Sequence, residues 1–358
     1  MAALSQLDRE FVDNVVSEEM AVTKQPGMML KITGPAGDYE LTRGLRTVAP
    51  DKPMSFDAKF RAASVTKTLT AMAILREVDK GKISLDDVVD KYVAQIPNGR
   101  QLTVKQVLMM RSGLAEYQTD IIIALTFLAF PTWPTFSPEG AMQAVRRNKA
   151  VFKPGAQYMY CGSNYHLLAL ILEKVNGGKG WKRILMDDLV KPLGMTSTSF
   201  PDGATIPQPE VKGYTTGVFK KWSENGKVNA NFHGPAGGMV TTMGDMHKWA
   251  TAMRDGVFLK PETRQLQHSL FSSVPWTDEG PTAFGYGMGL LSFGKWFGHD
   301  GWIPGYGTVA MYEPVSGAVF TGVENMKTPN LKMLSRVFVR VAGHLYPGSM
   351  DTPTYSLG

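Results

Sequence analysis

The chain has 358 residues, enough for a large core in one big domain or two lobes. Hydrophobic residues make up 43% and charged residues 20%, an ordinary globular balance that excludes a disordered chain. The net charge of +6 suits an anionic surface, but no dense Lys/Arg run with interleaved aromatics occurs, so nucleic acid is not an expected partner. One cysteine, Cys161, leaves no internal disulfide to form, and the fold must rest on its core.

Met1–Val16 carries acids early and lacks a long apolar run, so it is not expected to be a secretory signal. The expected compartment is then cytoplasmic by default, or a cell wall reached without a signal, as from a phage particle. Leu7–Met20 has a helical stripe of Leu7, Phe11, Val15 and Val16. Two strand-like runs follow, Met28–Thr33 and Tyr39–Leu45, separated by the turn residues Gly34–Asp38. Phe60–Asp79 reads as one helix stopped at Gly81. Helical patterns dominate from Leu85 to Leu193, broken at Arg111–Leu114, Pro131–Pro138 and Lys153–Gly155. The longest apolar run, Ile121–Phe130, is shorter than the roughly 20 residues a membrane span needs, and reads as a buried helix or pocket wall. Pro201–Asn231 is loop-rich, and Gly244–Met253 is helical again. Lys295–His299, Thr308–Tyr312 and Ala318–Val323 are short strands, and Asn330–Leu345 is a final amphipathic helix.

Helix, two strands, a long helical middle, three strands and a helix predict an α+β fold. A five-stranded antiparallel sheet is flanked by the N- and C-terminal helices, with a mainly helical lobe inserted. Residues 1–358 form one catalytic domain of two lobes: about 1–62 with 235–358, and about 63–234.

Three elements carry chemistry. In Ser64-Val65-Thr66-Lys67, helical spacing brings the lysine to the serine hydroxyl, which needs a base to become a nucleophile. Alone the pattern is weak, since Ser-x-x-Lys occurs about once by chance in a chain of this size. A second copy, Ser292–Lys295, lies in a glycine-broken strand region where the two residues do not face each other. The second element is Tyr160-Cys161-Gly162 after Lys153-Pro154-Gly155, and the third is His299-Asp300-Gly301-Trp302 at a strand end. Taken singly, Ser64 could be a helix cap, Tyr160 a packing aromatic and His299 a satisfied strand-end histidine. Cys161 reads as a buried small residue, because no histidine is placed to pair with it. The stretch Phe130–Phe136 could roof the pocket or simply connect helices.

Further blocks accompany these elements: Phe60–Thr68, Arg111–Tyr117, Asn164–Leu168, Lys191–Met195, Ala236–Met239 and Gly298–Gly301. In this order they resemble the penicillin-binding-protein and class C β-lactamase superfamily of serine hydrolases over essentially the full length. The resemblance implies Ser64 as nucleophile, Lys67 and Tyr160 as proton-handling groups, and His299 as an electrostatic and substrate-bonding residue. It also implies that Gly301 lets substrate lie along the strand, and that the Ser64 and Trp302 N–H groups form an oxyanion hole. Two cationic neighbours would depress the Tyr160 pKa and make it a base. No cofactor is expected and no metal is needed, the six histidines showing no close ligand pairing.

Two positions depart from the family pattern. Gly162 stands where an asparagine is usual, and Asp300 where a small or hydroxyl residue is usual. At the pocket rim Asp300 would repel a substrate carboxylate, so efficient β-lactam hydrolysis is not expected. The implied function is a D-alanyl-D-alanine carboxypeptidase-like peptide hydrolase on peptidoglycan-type substrates. The alternatives are a carboxylesterase or amide hydrolase of the same fold, and a non-catalytic cell-wall binding module.

Overall fold

Runs rich in β-branched and aromatic residues make the central strands, and helices cover both faces of the sheet they form. The structure is a computed structural model and describes residues 2–130, 136–216, 222–224, 227, 229–269, 271–274, 284–326 and 333–351. Helix α1 (Gln6–Thr23) starts where the Ser5 side chain accepts from the Asp8 N–H, and ends at Lys24, whose φ of 56° is left-handed. Strands β1 (Gly27–Thr33) and β2 (Tyr39–Val48) pair antiparallel, and β3 (Asp51–Pro53) extends them.

Periodicity predicts one helix over Phe60–Asp79; the structure divides it. Phe60–Arg61 is a short strand, β4, and Ala63–Val65 is a single tight turn. Ala63 has φ 49°, which no α-helix admits, so α2 begins only at Thr66 and runs to Asp79. Gly81, at φ 72°, ends it as expected. The helical middle follows with α3 (Val104–Leu108), α4 (Ile121–Ala129), α5 (Pro138–Arg147), α6 (Ser163–Val175) and α7 (Trp181–Leu185).

Helix α4 corrects an expectation. It is not buried: Ile121 is 68% exposed and Leu125 58%, while Ile123 reaches the core. The helix is held at its first turn, where Asp120 caps the Ile123 N–H and pairs with Arg147.

Strands β5 (Tyr214–Thr216) and β6 (Trp222–Glu224) form a small hairpin. The helical stretch α8 (Ala230–Gly237) is broken at Gly234, and β7 (Val240–Thr241) pairs with β4. Then come α9 (Met243–Asp255), α10 (Pro261–Ser269), β8 (Ser272–Val274), β9 (Phe284–Gly287), β10 (Leu290–Phe293), β11 (Trp296–Ile303), β12 (Tyr306–Glu313), β13 (Ala318–Glu324) and α11 (Met333–Leu345).

The main sheet has nine strands, ordered β3-β2-β1-β13-β12-β11-β10-β9-β8, in place of the five expected. The five are its contiguous middle, β2 to β11. The added edge strands are three or four residues long, and two of them read Phe-Gly-Tyr-Gly and Asp-Lys-Pro, with no run of alternation to reveal them.

Pairing sets which residues share a face, because partners directly opposite point the same way. His299, Ala310 and Thr321 form one row, and Thr321 bonds His247 of α9. Asp300, Val309 and Gly322 form the next, and Leu334 of α11 lies over Gly322. His299 therefore faces the side of α9 and α2, and Asp300 faces the side of α11.

Candidate active site

Ser64 sits in the turn between β4 and α2. The left-handed Ala63 is a strained conformation for a residue with a side chain, and its surroundings hold it there. The Ala62 N–H donates to Met239 O at 2.9 Å, and Thr308 Oγ1 donates to Ala62 O at 2.8 Å. Gly301 permits this approach of β11. A Cβ there would lie 2.4 Å from Thr308 Oγ1 and 2.9 Å from the Ala63 Cβ.

In the first turn of α2, Lys67 Nζ donates to Ser64 Oγ at 3.0 Å and to Ala236 O at 2.7 Å. The break at Gly234 aims that carbonyl out of α8. Lys67 is buried, and desolvation pushes its pKa down to about 7, the charges of Glu116, Cys161 and Asp300 pulling the other way. A lysine so placed is partly neutral near pH 7 and can accept the Ser64 proton.

Tyr160 leans over Lys67, with Nζ 4.9 Å from its ring centroid, and packs edge-on to His299 at 6.1 Å and Tyr286 at 5.8 Å. The expected depression of its pKa is not found. Although the residue is 42% exposed, desolvation drives its pKa above the usual phenol range. The hydroxyl of Ser64 opposes that shift, while the Lys67 ammonium meets the face of the ring. Tyr160 is thus a neutral phenol, able to donate a proton rather than to start as a base.

His299 is buried on the same side of β11, its Nδ1 at the Asp300 carbonyl. Trp302 lines the cavity in front of Ser64, and its Nε1–H donates to the Asp300 carboxylate at 3.3 Å. Asp300 itself is not at the rim. Its carboxylate accepts from Trp302 and, at 3.4 Å, from Ser335 of α11, on the far face of the strand. Strand alternation is the physical reason: the His299 ring packs on Tyr160 behind the cavity wall, and the next residue along β11 points to the opposite face, toward α11.

Gly162 borders the cavity, and beside it lies a cavity residue that the sequence motifs do not single out. The Gly162 N–H donates to the carboxylate of Glu116, and a Cβ on Gly162 would lie 3.2 Å from both Glu116 oxygens. The carboxylate thus takes the space beside Gly162 that a side chain there would need. Burial raises its pKa, opposed by the Gly162 and Gln118 N–H groups and by Lys67. The block Arg111–Tyr117 contained Glu116, but only the missing side chain at Gly162 signalled room for it.

The cavity has a volume of about 400 Å³, and Ser64, Lys67, Glu116, Tyr160, Gly162, His233 and Trp302 line it. Cys161 is buried, its thiol pushed up to about 12 by desolvation, and its Sγ donates to Leu114 O. It is no nucleophile. Ser292 is buried in β10 while Lys295 is exposed beyond it, so the second Ser-x-x-Lys forms no pair. Of Phe130–Phe136, residues 131–135 lie outside the described residues; Phe136 stacks on Tyr117, whose hydroxyl donates to Phe232 O in the cavity wall. Among the described residues, no group of three His, Cys, Asp or Glu could hold a metal ion, and no helix is long and apolar enough to cross a membrane.

The family model described as Beta-lactamase matches residues 12–339, and the chain belongs to that family. Protein flp of Staphylococcus aureus (strain COL) is 27% identical over 257 residues, which is 69% of this chain and 49% of the relative. The chain thus spans about half the length of the curated relatives it matches. Among solved structures, D-amino acid amidase from Ochrobactrum anthropi SV3, complexed with L-phenylalanine amide, superposes with TM-score 0.83 at 22% identity, over 96% of this chain and 99% of that one. A D-stereospecific amidohydrolase from Streptomyces sp. gives TM-score 0.80 at 24% identity, over 95% and 98%. The penicillin-binding-protein and β-lactamase fold is therefore the fold of this chain.

Proposed function

We propose that the protein is a serine acyl hydrolase working through an acyl-Ser64 intermediate, and that it cleaves amides or esters of amino acids whose amino group is free, D-amino acid amides foremost. The observation that carries this reading is the Glu116 carboxylate in the cavity beside Gly162. It faces bound substrate with a negative charge, which suits an ammonium and disfavours a carboxylate. The two structural neighbours named for D-amino acid amidase and D-stereospecific amidohydrolase activity support the substrate class.

In this mechanism neutral Lys67 takes the Oγ proton as Ser64 Oγ bonds the carbonyl carbon and the π pair moves onto oxygen. The Ser64 and Trp302 N–H groups receive that oxyanion. The carbon–nitrogen bond then breaks, and the proton now on Lys67 passes through the Tyr160 phenol to the leaving nitrogen. Water repeats the sequence on the acyl ester, with Lys67 again the base. His299 packs against Tyr160 and keeps the phenol over Lys67.

A D-alanyl-D-alanine carboxypeptidase role is less well supported. Its donor amino group is acylated and gives Glu116 no cation, and the amide that would bond a substrate amide at residue 162 is absent. A non-catalytic module has no use for a buried lysine bonded to a serine. The test is a panel of D- and L-phenylalanine amides, an N-acylated D-Ala-D-Ala peptide and p-nitrophenyl acetate. The D-amino acid amide should give the highest kcat/KM, and Glu116→Gln should lower it at least about tenfold, the effect of losing some 1.4 kcal/mol. Preference for the acylated peptide, or an unchanged Glu116→Gln, would overturn the reading.

A further inference from the structure

Lys67 and Glu116 line the same cavity as Ser64, one on α2 and the other in the segment after α3. Glu116 is the one carboxylate among the described residues lining that cavity. Its oxygens accept from the Gly162 and Gln118 N–H groups, and the charge that a substrate ammonium would meet in the cavity is also a charge that acts on the Lys67 ammonium. We propose that in the free enzyme Glu116 keeps the proton on Lys67, and that the ammonium of a bound substrate engages Glu116 and frees the Lys67 amine to deprotonate Ser64. The inference rests on the reading that Glu116 receives an ammonium, and adds that binding this group switches on the base.

The groups facing Lys67 allow the effect to be assigned. Tyr160, Cys161, Tyr165 and His166 come from the segment that opens α6, His233 from α8, and His299 and Asp300 from β11. The three phenol and thiol groups are neutral, each held protonated by burial, and His166 is uncharged for the same reason. Of the carboxylates that favour protonated Lys67, Glu116 acts more strongly than Asp300. Asp300 cannot be reached by substrate, because its carboxylate lies on the far face of β11. Glu116 is reachable, and a cation set against it both cancels its field and adds a like charge near Lys67. The Lys67 proton then leaves to solvent, and the neutral amine takes the next proton from Ser64.

The probe is methylammonium, which carries its charge throughout the pH range of interest. Inactivation by a neutral fluorophosphonate, which reports Ser64 acylation, is followed from pH 5 to 9 with saturating methylammonium chloride or with sodium chloride at the same ionic strength. Methylammonium should move the acid limb of the rate to lower pH by about one unit, so that labelling becomes about fivefold faster at pH 6 and about tenfold faster at pH 5, the scale of a unit charge several ångströms away. In Glu116→Gln the limb should already lie at the lower pH and ignore methylammonium. The wild-type comparison stands by itself should that variant fail to fold. If methylammonium competes with a D-amino acid amide but leaves the limb unmoved, Glu116 binds without switching, and the inference falls while the proposed function survives. If it neither competes nor moves the limb, both fall.

Discussion

Burial of Lys67 sets a measurable conflict between stability and activity. The displacement of its pKa from 10.5 to about 7 corresponds to about 5 kcal/mol of free energy separating the two protonation states. The unfolded chain binds the lysine proton below pH 10.5 and the folded chain only below about 7, so stability falls as pH drops through this window and the full cost is present below about 7. Lys67→Met removes that cost but leaves the Ala236 carbonyl without its donor, a loss of about 1–3 kcal/mol. The variant should therefore be inactive yet more stable than wild type by about 2–4 kcal/mol at pH 6. The gain should shrink toward pH 10, where wild-type lysine is neutral in the fold and begins to lose its proton in the unfolded chain as well. Urea denaturation of both proteins at pH 6, 8 and 10 measures the difference. In parallel, wild-type acylation by a neutral ester should rise with pH through about 7, since the neutral amine is the base. A Lys67→Met protein destabilised equally at pH 6 and 10, or an acylation rate still climbing steeply above pH 9, would refute the reasoning.

Fluorophosphonate should add one covalent mass at Ser64, and Ser64→Ala should abolish it, the buried Ser292 remaining unlabelled; intact-mass spectrometry decides. Tyr160→Phe should lower turnover at least about a hundredfold, the usual scale for a proton-transfer group, with no alkaline activation limb below pH 10 in wild type because the phenol stays protonated. Asp300→Asn should leave the kcat/KM ratio of neutral to carboxylate-bearing substrates within about threefold, since its carboxylate bonds Trp302 and Ser335 behind the strand. Gly301→Ala should lower both Tm and activity, because its Cβ would meet Thr308 and Ala63 and push β11 off the Ser64 turn.

How far the sequence could be read follows from which interactions are local. The pair Ser64 and Lys67 was legible because three residues of near-helical chain bring them together, even though the turn at Ala63 was hidden. The five middle strands alternate or run apolar and declared themselves; the edge strands are too short and glycine-rich to do so. Asp300 was misjudged although the sequence held the answer. Once His299 packs toward Tyr160, parity along β11 sends the next side chain to the other face. The Tyr160 pKa could not be read, because its sign depends on whether the ammonium meets the hydroxyl or the ring, and no spacing rule decides that. Glu116 marks the limit most sharply. It meets Gly162 across 46 residues of chain, and nothing local to either position announces the contact. What the chain does show is an absent side chain at Gly162, and an absence in a packed site must be filled by something. Here the filler is a carboxylate, so one substitution to glycine replaces a neutral amide by a negative charge at the same place in the cavity. Under the proposed function, substrate charge preference is set apart from Ser64, Lys67 and Tyr160, because Glu116 comes from a separate segment of chain.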